Sequence, residues 1–418
     1  MGWSVFNKIK KIATIILIIP VVRFFWRLIR IFSRQNKKYI AFFHTEKVFY
    51  DNSRYLFEYL LKNGEENVFL LLKNKKLYLN LLRVYPGKVY LVSSFKGMQQ
   101  FRKTQNIVIS YGTSVMEFFP FYLDPVYQNI IYLGHGIPMK KIGRQVARWQ
   151  LPFYQKLLQP YTFATCSSLL EKFILASSFQ LKIDNIWVTG SPRNDVLFEY
   201  AGKKNLKISS HPFQNRKVIL YAPTWREFGN ETRFFPFPDF DAENLLYFLE
   251  SKDILLLLRG HKEEIKNAGG LFSGNPVLNQ RIMPANQDIF PDVVELLPYV
   301  DVLITDYSGM YFDFLPFNKP VVFIPYDLEQ YNTYKGILFP YNEYMAGQKA
   351  LTQKDFIAVL ENCLTMPEEL SDKRLEMTRL FYRYQDSMAC ERIYQNLKIL
   401  ARRSEERRVG KECRSRWS

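Results

Sequence analysis

Short apolar runs alternate with amphipathic stretches along most of this chain of 418 residues. The runs are rich in β-branched side chains, as in the buried strands of parallel sheets, and Asp51–Leu61 places apolar residues at helical spacing. Strands that alternate with helices predict mostly parallel, doubly wound sheets. The predicted strands are Tyr39–Phe43, Val68–Leu72, Val89–Val92, Ile107–Ser110, Ile130–Leu133, Phe163–Thr165, Ile186–Thr189, Val218–Ala222, Ile254–Leu258, Val302–Thr305 and Val321–Ile324.

A polar linker, Gly202–Asn215, divides this pattern into two series, and no internal repeat is visible. The length is sufficient for two ordinary α/β domains. We therefore expect two Rossmann-like, doubly wound domains that face a cleft, formed by residues 39–205 and 206–402. The predicted helices of the second domain are Ala242–Leu249, Asp292–Leu297, Lys354–Leu364 and Glu368–Ile399.

The N-terminal segment, residues 1–38, has a different pattern. Ile12–Val22 is an apolar run of eleven residues flanked by lysines, and aromatic residues interleaved with arginines follow it. A helix needs about 20 apolar residues to span a bilayer, and no small-residue cleavage site of a signal peptide follows the run. Residues 1–38 are therefore predicted to form a membrane-associating helix on an anionic lipid surface, with a kink at Pro20. A signal-anchor and a buried core helix are the alternatives.

Positive charge is concentrated at the two ends of the chain. Residues 1–38 carry nine Lys/Arg and no acid, and residues 402–418 carry seven Lys/Arg against three Glu. Subtracting both from the net charge of +17 leaves only +4 for residues 39–401, which disfavours nucleic acid as a partner. Residues 403–418 lack apolar periodicity and are interpreted as an extraneous tail.

Few residue patterns favour a metal site or disulfides. Asp239 and Asp241 match the DxD metal pattern of some sugar transferases, but they precede a predicted helix, so a helix N-cap is the favoured interpretation. The chain contains no GxGxxG, P-loop or GxSxG motif, which weighs against dehydrogenases, NTPases and α/β-hydrolases. The scattered cysteines, which fit a reducing cytosol, are Cys166, Cys363, Cys390 and Cys413.

The stretch Asp301–Tyr331 has the pattern of a strand, a polar turn, an apolar helix and a second strand. Ligands of open α/β sheets bind at the carboxyl ends of strands, where helix N-termini present free N–H groups. Asp306 or Ser308 can cap the helix, and Gly309 allows a ligand to approach the backbone, so this turn suits a phosphate or pyrophosphate. The alternative is a capped turn that binds no ligand.

Two of the four histidines follow predicted strands in different domains. His135 lies between two glycines and ahead of a lysine pair, where it can act as a general base near neutral pH. His261 follows Arg259 in the second domain, where the two can stabilise phosphate. His44, after the first strand, is favoured as a structural residue rather than a residue of the acceptor side.

Two further polar segments follow predicted strands. Thr224 and Arg226 follow the first strand of the second domain, within reach of a phosphate or a base edge. Arg193 follows the last strand of the first domain, where it either faces the cleft or fixes the turn between the domains.

Taken together, these segments resemble the CDP-glycerol glycerophosphotransferase family of teichoic-acid primases and polymerases. Between about residues 130 and 335 the family motifs occur in order as HGIPMKKIG, SPRND, LYAPTWRE, LLRGH and DVLITDYSGMYFDF, the last followed by KPVVF and YDLEQY. Residues 39–129 match only in being Rossmann-like. The resemblance implies a GT-B-type fold, a metal-independent inverting transfer and peripheral attachment at the cytoplasmic face of the membrane.

The resemblance also implies residue roles. His135 matches the proposed base, which deprotonates an acceptor hydroxyl as it attacks the β-phosphate of the donor, and His261 and Arg259 match the loop that contacts the donor pyrophosphate. The other implied donor-site residues are Ser308 and Gly309 on the phosphate turn, Pro223, Thr224 and Arg226 near the nucleotide, and Asp327 or Glu329 near the ribose.

The chain departs from the usual family residues at three positions. Ile137 replaces a threonine, Gly309 replaces a serine and Lys335 replaces an arginine. The change at Gly309 removes one hydroxyl that could bind phosphate, and the backbone N–H remains. These departures leave the specificity for the polyol undetermined, so CDP-glycerol and CDP-ribitol are both retained as candidate donors.

The expected activity is transfer of glycerol-phosphate, or a related polyol-phosphate, from a CDP-activated donor to a hydroxyl of a lipid-linked acceptor in teichoic acid or cell-surface polymer synthesis. The resemblance implies that no metal takes part, and the CDP-polyol is a substrate rather than a cofactor, so no cofactor is expected. The enzymatic alternative is a GT-B glycosyltransferase that uses a nucleotide sugar. The non-enzymatic alternative is a membrane-bound assembly factor.

Overall fold

A computed structural model describes residues 18–29, 36–112, 114–118, 121–146, 155, 157–202, 213, 216–226, 232–260, 262–270 and 278–415.

The first domain is built on a seven-stranded sheet with the strand order β3-β2-β1-β4-β5-β6-β7. Every neighbouring pair is parallel. Helices cover both faces of such a sheet, which explains why its central strands are apolar throughout. The strands are β1 Asn36–His44, β2 Val68–Leu72, β3 Val89–Leu91, β4 Thr104–Ile109, β5 Asn129–Tyr132, β6 Phe163–Cys166 and β7 Ile186–Val188.

The second domain has a six-stranded parallel sheet with the order β10-β9-β8-β11-β12-β13. Counted from its own first strand, this is the order 3-2-1-4-5-6, so the second sheet repeats the topology of the first although no sequence repeat is visible. Ligands of such sheets bind where the winding direction reverses, here between β1 and β4 and between β8 and β11. The strands are β8 Lys217–Tyr221, β9 Ile254–Leu258, β10 Ile282–Pro284, β11 Val302–Thr305, β12 Val321–Phe323 and β13 Gln348–Lys349.

The helices connect these strands and cover the sheets. In the first domain they are α1 (18–29), α2 Asp51–Lys62, α3 Lys75–Val84, α4 Phe95–Lys103, α5 Val115–Phe118, α6 Leu169–Phe179 and α7 Pro192–Ala201. Those that follow are α8 Ala242–Ser251, α9 Lys262–Gly270, α10 Leu278–Arg281, α11 Met310–Phe314, α12 Leu328–Tyr334, α13 Tyr341–Tyr344, α14 Gln353–Thr365, α15 Ser371–Phe381 and α16 Ala389–Ser415.

The prediction of two doubly wound, parallel α/β domains is confirmed, and two predicted helices are wrong. Asp292–Leu297 forms two 3-10 turns, Val293–Glu295 and Leu297–Tyr299, because Pro298 has no N–H to continue a helix. The predicted helix Glu368–Ile399 is divided into α15 and α16. Between them the chain is extended at Tyr382, whose buried hydroxyl donates to the Phe312 carbonyl.

The last helix, α16, packs on the first domain. Cys390, Ile393 and Leu397 lie in one apolar cluster with residues of β1, β2 and α2. The Asp195 carboxylate accepts hydrogen bonds from the backbone N–H groups of Ala389 and Cys390, at 2.6 and 2.9 Å. Residues 389–402, which were expected in the second domain, therefore cover the first sheet.

The N-terminal helix α1 is amphipathic with respect to the first domain. Its inner face packs on the core, where the Trp26 and Phe101 rings meet edge-to-face at 4.9 Å, and Arg27 Nε lies 2.5 Å from Asp124 Oδ2. The inner face of α1 therefore behaves as a buried core helix, which was the alternative to a membrane-associating helix. Residues 1–17 of the predicted membrane segment lie outside the described residues. Within the described part of the chain, every helix is too short or too polar to cross a bilayer.

Candidate active site

A cavity of about 390 Å³ lies between the two domains, at the carboxyl ends of both sheets. The structure brings four of the predicted site residues together around it. His135 comes from the loop after β5 in the first domain, and Arg259, Ser308 and Gly309 come from the loops after β9 and β11 in the second. Each of these residues follows the carboxyl end of a strand, where ligands of open α/β sheets bind. This part of the site was therefore predictable from the sequence.

The His135 ring is held between the domains and exposed to the cavity. The flanking residues Gly134 and Gly136 have φ of 68° and 115°, which L-residues rarely adopt, and they allow the imidazole to project from the loop. The ring stacks on Tyr111 with centroids 5.1 Å apart. Partial burial lowers the pKa of His135, Asp51 opposes this shift, and Arg193 and Lys140 add to it. His135 is therefore neutral at pH 7 and able to accept a proton.

The Ser308–Gly309 turn, which was predicted to bind phosphate, approaches the His135 loop closely. The N-cap residue of α11 is Gly309, and the hydroxyl of Ser308, the residue before it, accepts a hydrogen bond from Met310 N–H at 3.3 Å. A Cβ at Gly309 would lie 3.0 Å from the Ile137 carbonyl oxygen, closer than side chains normally come. Ile137 and Gly309, which were singled out together from the sequence, are therefore in close contact at the cavity wall.

Arg259 presents a cation to the same cavity. Its Nη1 donates to the carbonyls of Ala285 and Phe290, at 2.8 and 3.1 Å. Burial lowers the pKa of Arg259, while the negative charge of Asp292 opposes that shift. Because an arginine pKa starts above 12, the side chain stays charged.

Arg226 is not on the cavity wall; its guanidinium is buried among carboxylates and aromatic rings. Nε and Nη2 donate to Asp327 at 3.0 and 2.9 Å, and Nη2 also lies 2.9 Å from Asp306 Oδ2. Asp306 in turn accepts the backbone N–H of Thr224 at 2.8 Å. Among the described residues, the buried Thr224 hydroxyl has no hydrogen-bond partner, and Thr224 does not line the cavity.

The other predicted residues are placed as follows. Pro223 and Glu329 do not line the cavity, and Glu329 is exposed on α12. His261 lies outside the described residues. His44 is buried with Nε2 2.7 Å from the Val48 carbonyl oxygen, and burial lowers its pKa to about 4, which confirms a structural role. Asp241 caps α8, which confirms the N-cap interpretation of the DxD pattern.

Sequence reasoning missed a buried ion-pair cluster beside the cavity, formed by Asp51, Arg193 and Asp313. Arg193 Nε donates to Asp51 Oδ1 at 2.8 Å, and Nη1 donates to Asp313 Oδ2 at 2.6 Å. Asp313 belongs to the second domain, so the cluster joins the two domains. Burial alone would lower the pKa of Arg193, but Asp313 and Asp51 outweigh it and raise the pKa. Burial raises the pKa of Asp313 to about 6; Arg193 opposes this and Asp51 adds to it. The raised pKa of Arg193 and the raised pKa of Asp313 are both expected where two buried carboxylates share one guanidinium.

Glu171 is a second buried carboxylate of the cavity wall that sequence reasoning missed. It lies in the first turn of α6 and accepts the Ser167 backbone N–H at 2.6 Å, while the Ser168 hydroxyl caps its own N–H. Burial raises the pKa of Glu171 to about 7. The sequence signal was a capping box, which by itself indicates only a helix start.

The chain matches known proteins over most of its length. Residues 24–398 match the model of the family described as CDP-glycerol:poly(glycerophosphate) glycerophosphotransferase. The chain belongs to this family. Within this glycerophosphotransferase family, the chain is 28% identical to the teichoic acid ribitol-phosphate polymerase TarL of Staphylococcus aureus over 277 residues, which cover 65% of this chain and 48% of TarL. It is 25% identical to the S. aureus teichoic acid glycerol-phosphate transferase over 395 residues, which cover 89% of this chain and 95% of that protein.

A solved structure has the same architecture. The wall teichoic acid polymerase TagF superposes with a TM-score of 0.72 at 22% identity, over 96% of this chain and 99% of that chain, which shows a shared fold. The chain spans about half the length of the first curated relatives it matches.

Proposed function

We propose that this glycerophosphotransferase-family protein transfers glycerol-phosphate, or a related polyol-phosphate, from a CDP-activated donor to a hydroxyl of a membrane-linked acceptor. The observation that supports the proposal is the shared cavity: a neutral histidine from one domain faces Arg259 and the Ser308–Gly309 turn from the other. A base on one wall and phosphate-binding groups on the opposite wall are what in-line phosphoryl chemistry requires.

In the proposed reaction the acceptor oxygen attacks the phosphorus that carries the polyol. Its proton passes to His135, the bond from that phosphorus to the bridging oxygen breaks, and CMP leaves with the electron pair. Arg259 and the Ser308–Gly309 turn stabilise the charge that develops on the phosphates. The proposal includes no metal or other cofactor.

A donor panel tests this function. The full-length protein, incubated with a synthetic lipid acceptor, should release CMP from CDP-glycerol or CDP-ribitol and should release no UDP from UDP-sugars. His135→Gln supplies the background rate. Release of UDP alone would support a nucleotide-sugar glycosyltransferase instead, and a protein that neither turns over nor binds any nucleotide in a thermal-shift assay would be a non-enzymatic assembly factor.

We further propose that the outer face of α1, together with α4, contacts an anionic membrane surface, which for the lipid-linked acceptor is the cytoplasmic one. The outer face of α1 exposes Val21, Phe24 and Phe25, and α4 exposes Phe95, which is 78% accessible. The contact between Trp26 and Phe101 places these two helices side by side. The adjoining run, residues 73–104, carries eight Lys/Arg and no Asp or Glu. Exposed aromatic residues beside a run that is rich in basic residues favour the headgroup region of an anionic bilayer.

Vesicle binding tests this surface with substitutions that keep the contact between Trp26 and Phe101, although they remove the edge-to-face contact between Phe25 and Trp26. The double substitution Phe24→Ser and Phe25→Ser should weaken binding to phosphatidylglycerol vesicles at least tenfold, because it removes buried apolar area at the interface. Tyr247→Ser, which alters an equally exposed aromatic residue of the second domain, should have no effect. Equal binding of the double variant and the unmodified protein would contradict the proposed surface.

A further inference from the structure

Tyr111 stacks on the His135 ring and is itself hydrogen-bonded to a buried carboxylate, that of Asp51. Tyr111 stacks on His135 with an interplanar angle of 19°, and the Tyr111 hydroxyl donates to Asp51 Oδ2 at 2.7 Å. Tyr111 is absent from the wall of the cavity. Tyr111 therefore restrains the imidazole from the ring face that is turned away from the cavity, and the other face is left to a substrate.

Asp51 and its neighbour also hold the backbone on which His135 is mounted. Asn52 Nδ2 donates to the Gly134 carbonyl at 2.9 Å, and Asn52 Oδ1 accepts the Arg193 N–H at 2.9 Å. Asp51 N–H donates to Asp292 Oδ2 at 3.1 Å, across to the second domain. The start of α2 thus restrains the His135 ring through Tyr111 and the His135 loop through Asn52.

Asp51 adopts a backbone conformation that is unfavourable for an aspartate. It is 1% accessible and has a φ of 65°, in the left-handed region where residues other than glycine are uncommon. Strain of this kind persists where the surrounding contacts over-determine it, and it is concentrated at functional sites. Here the carboxylate is oriented at once towards Tyr111 and Arg193.

From this geometry we propose that Tyr111 and Asp51 are positioning residues, which hold His135 in the orientation required for proton transfer. The inference rests on the proposed function, because it assumes that His135 is the base. Neither residue is assigned contact with the substrate. Their effect is on the fraction of bound substrate that meets a correctly oriented imidazole, and therefore on kcat rather than on donor affinity.

Kinetics of two substitutions test the inference. Tyr111→Phe keeps the stacked ring and loses the hydroxyl, and it should reduce kcat about tenfold; Tyr111→Leu also loses the stack and should reduce kcat about a hundredfold. In both variants the KM for the CDP donor should stay within about twofold. Tyr85→Phe is the matched control. The Tyr85 hydroxyl donates at 2.6 Å to Glu58, which lies on α2 like Asp51, and Tyr85 does not contact His135.

An NMR titration of His135 provides a readout that needs no turnover. The charged groups around this ring are Asp51, Arg193 and Lys140, and loss of the Asp51 charge in Asp51→Asn should move the half-titration to lower pH. Tyr111→Leu should abolish the ring-current shift of the His135 signal, and Tyr85→Phe should preserve it. If no CDP donor is turned over but Tyr111→Leu and Asp51→Asn still change the His135 signal as expected, the proposed reaction is disproved. The positioning of His135 by Tyr111 and Asp51 then still holds. An unchanged His135 signal in Tyr111→Leu, or a kcat equal to that of Tyr85→Phe, would overturn the inference.

Discussion

Replacing His135 by glutamine should reduce kcat by about a thousandfold while the affinity for the CDP donor stays within about twofold. The imidazole accepts the proton of the acceptor hydroxyl, which the glutamine amide cannot do. In the unmodified protein only the neutral ring is active, so activity should fall as the pH drops through the pKa of His135. Because partial burial lowers that pKa in the unliganded protein, the acid limb of kcat/KM, which reports the unliganded protein, should lie below 6.5. CMP release across pH gives kcat and kcat/KM, and calorimetry with the CDP donor gives the affinity.

A second histidine supplies the control for this experiment. His44 is buried and hydrogen-bonded to the Val48 carbonyl, outside the cavity. His44→Gln should therefore lower the melting temperature and leave the kcat of the folded protein unchanged. Wild-type turnover in His135→Gln, or a loss of donor affinity as large as the loss of kcat, would refute the role of His135 as base.

Replacing Arg193 by methionine should destabilise the protein by about 3 to 5 kcal/mol, because it leaves the Asp51 and Asp313 carboxylates buried without their cation. Arg193 is the shared partner of both, with side-chain accessibilities of 8%, 1% and 6% for Arg193, Asp51 and Asp313. A loss of this size should lower the melting temperature by about 5 °C or more. Differential scanning calorimetry at pH 7.5 measures it.

An exposed ion pair between the same two domains is the matched control. Arg54 Nη1 lies 2.8 Å from Glu295 Oε1, but both side chains are partly exposed, at 30% and 49%. Exposed pairs contribute about 0 to 1 kcal/mol, so Arg54→Met should change the melting temperature little. Adding Asp313→Asn to Arg193→Met should recover part of the loss, because it removes one of the unpaired charges. Equal melting temperatures for Arg193→Met and Arg54→Met would show that the buried cluster does not join the domains.

The general architecture was predictable because it depends on local periodicity. Apolar runs such as Val68–Leu72 and Ile254–Leu258 recur as strands with the predicted bounds, since their burial on both faces requires an unbroken apolar pattern. Short edge strands such as Gln348–Lys349 were missed, because two residues carry no period. The placement of α16 on the first domain was also missed, since an amphipathic helix does not specify which of two sheets it covers.

The candidate site was predictable in part. His135, Arg259, Ser308 and Gly309 were found from their position after strands, and the structure gathers them around one cavity. Arg226 carries the same kind of signal, yet its guanidinium is taken up by Asp327 and Asp306. A basic residue after a strand therefore indicates proximity to the cleft but does not tell whether a ligand or a carboxylate is its partner.

The sequence by itself determined the two parallel sheets and the family, because each depends on spacing within short segments. Only the tertiary structure decided that Arg193 pairs with Asp51 and Asp313, which lie 142 and 120 positions away along the chain. It also decided that Tyr111 stacks on His135. Such pairs form only after distant segments meet in the folded chain, within the first domain for Asp51 and Tyr111 and across the cleft for Asp313. No local pattern specifies which charges then become buried together.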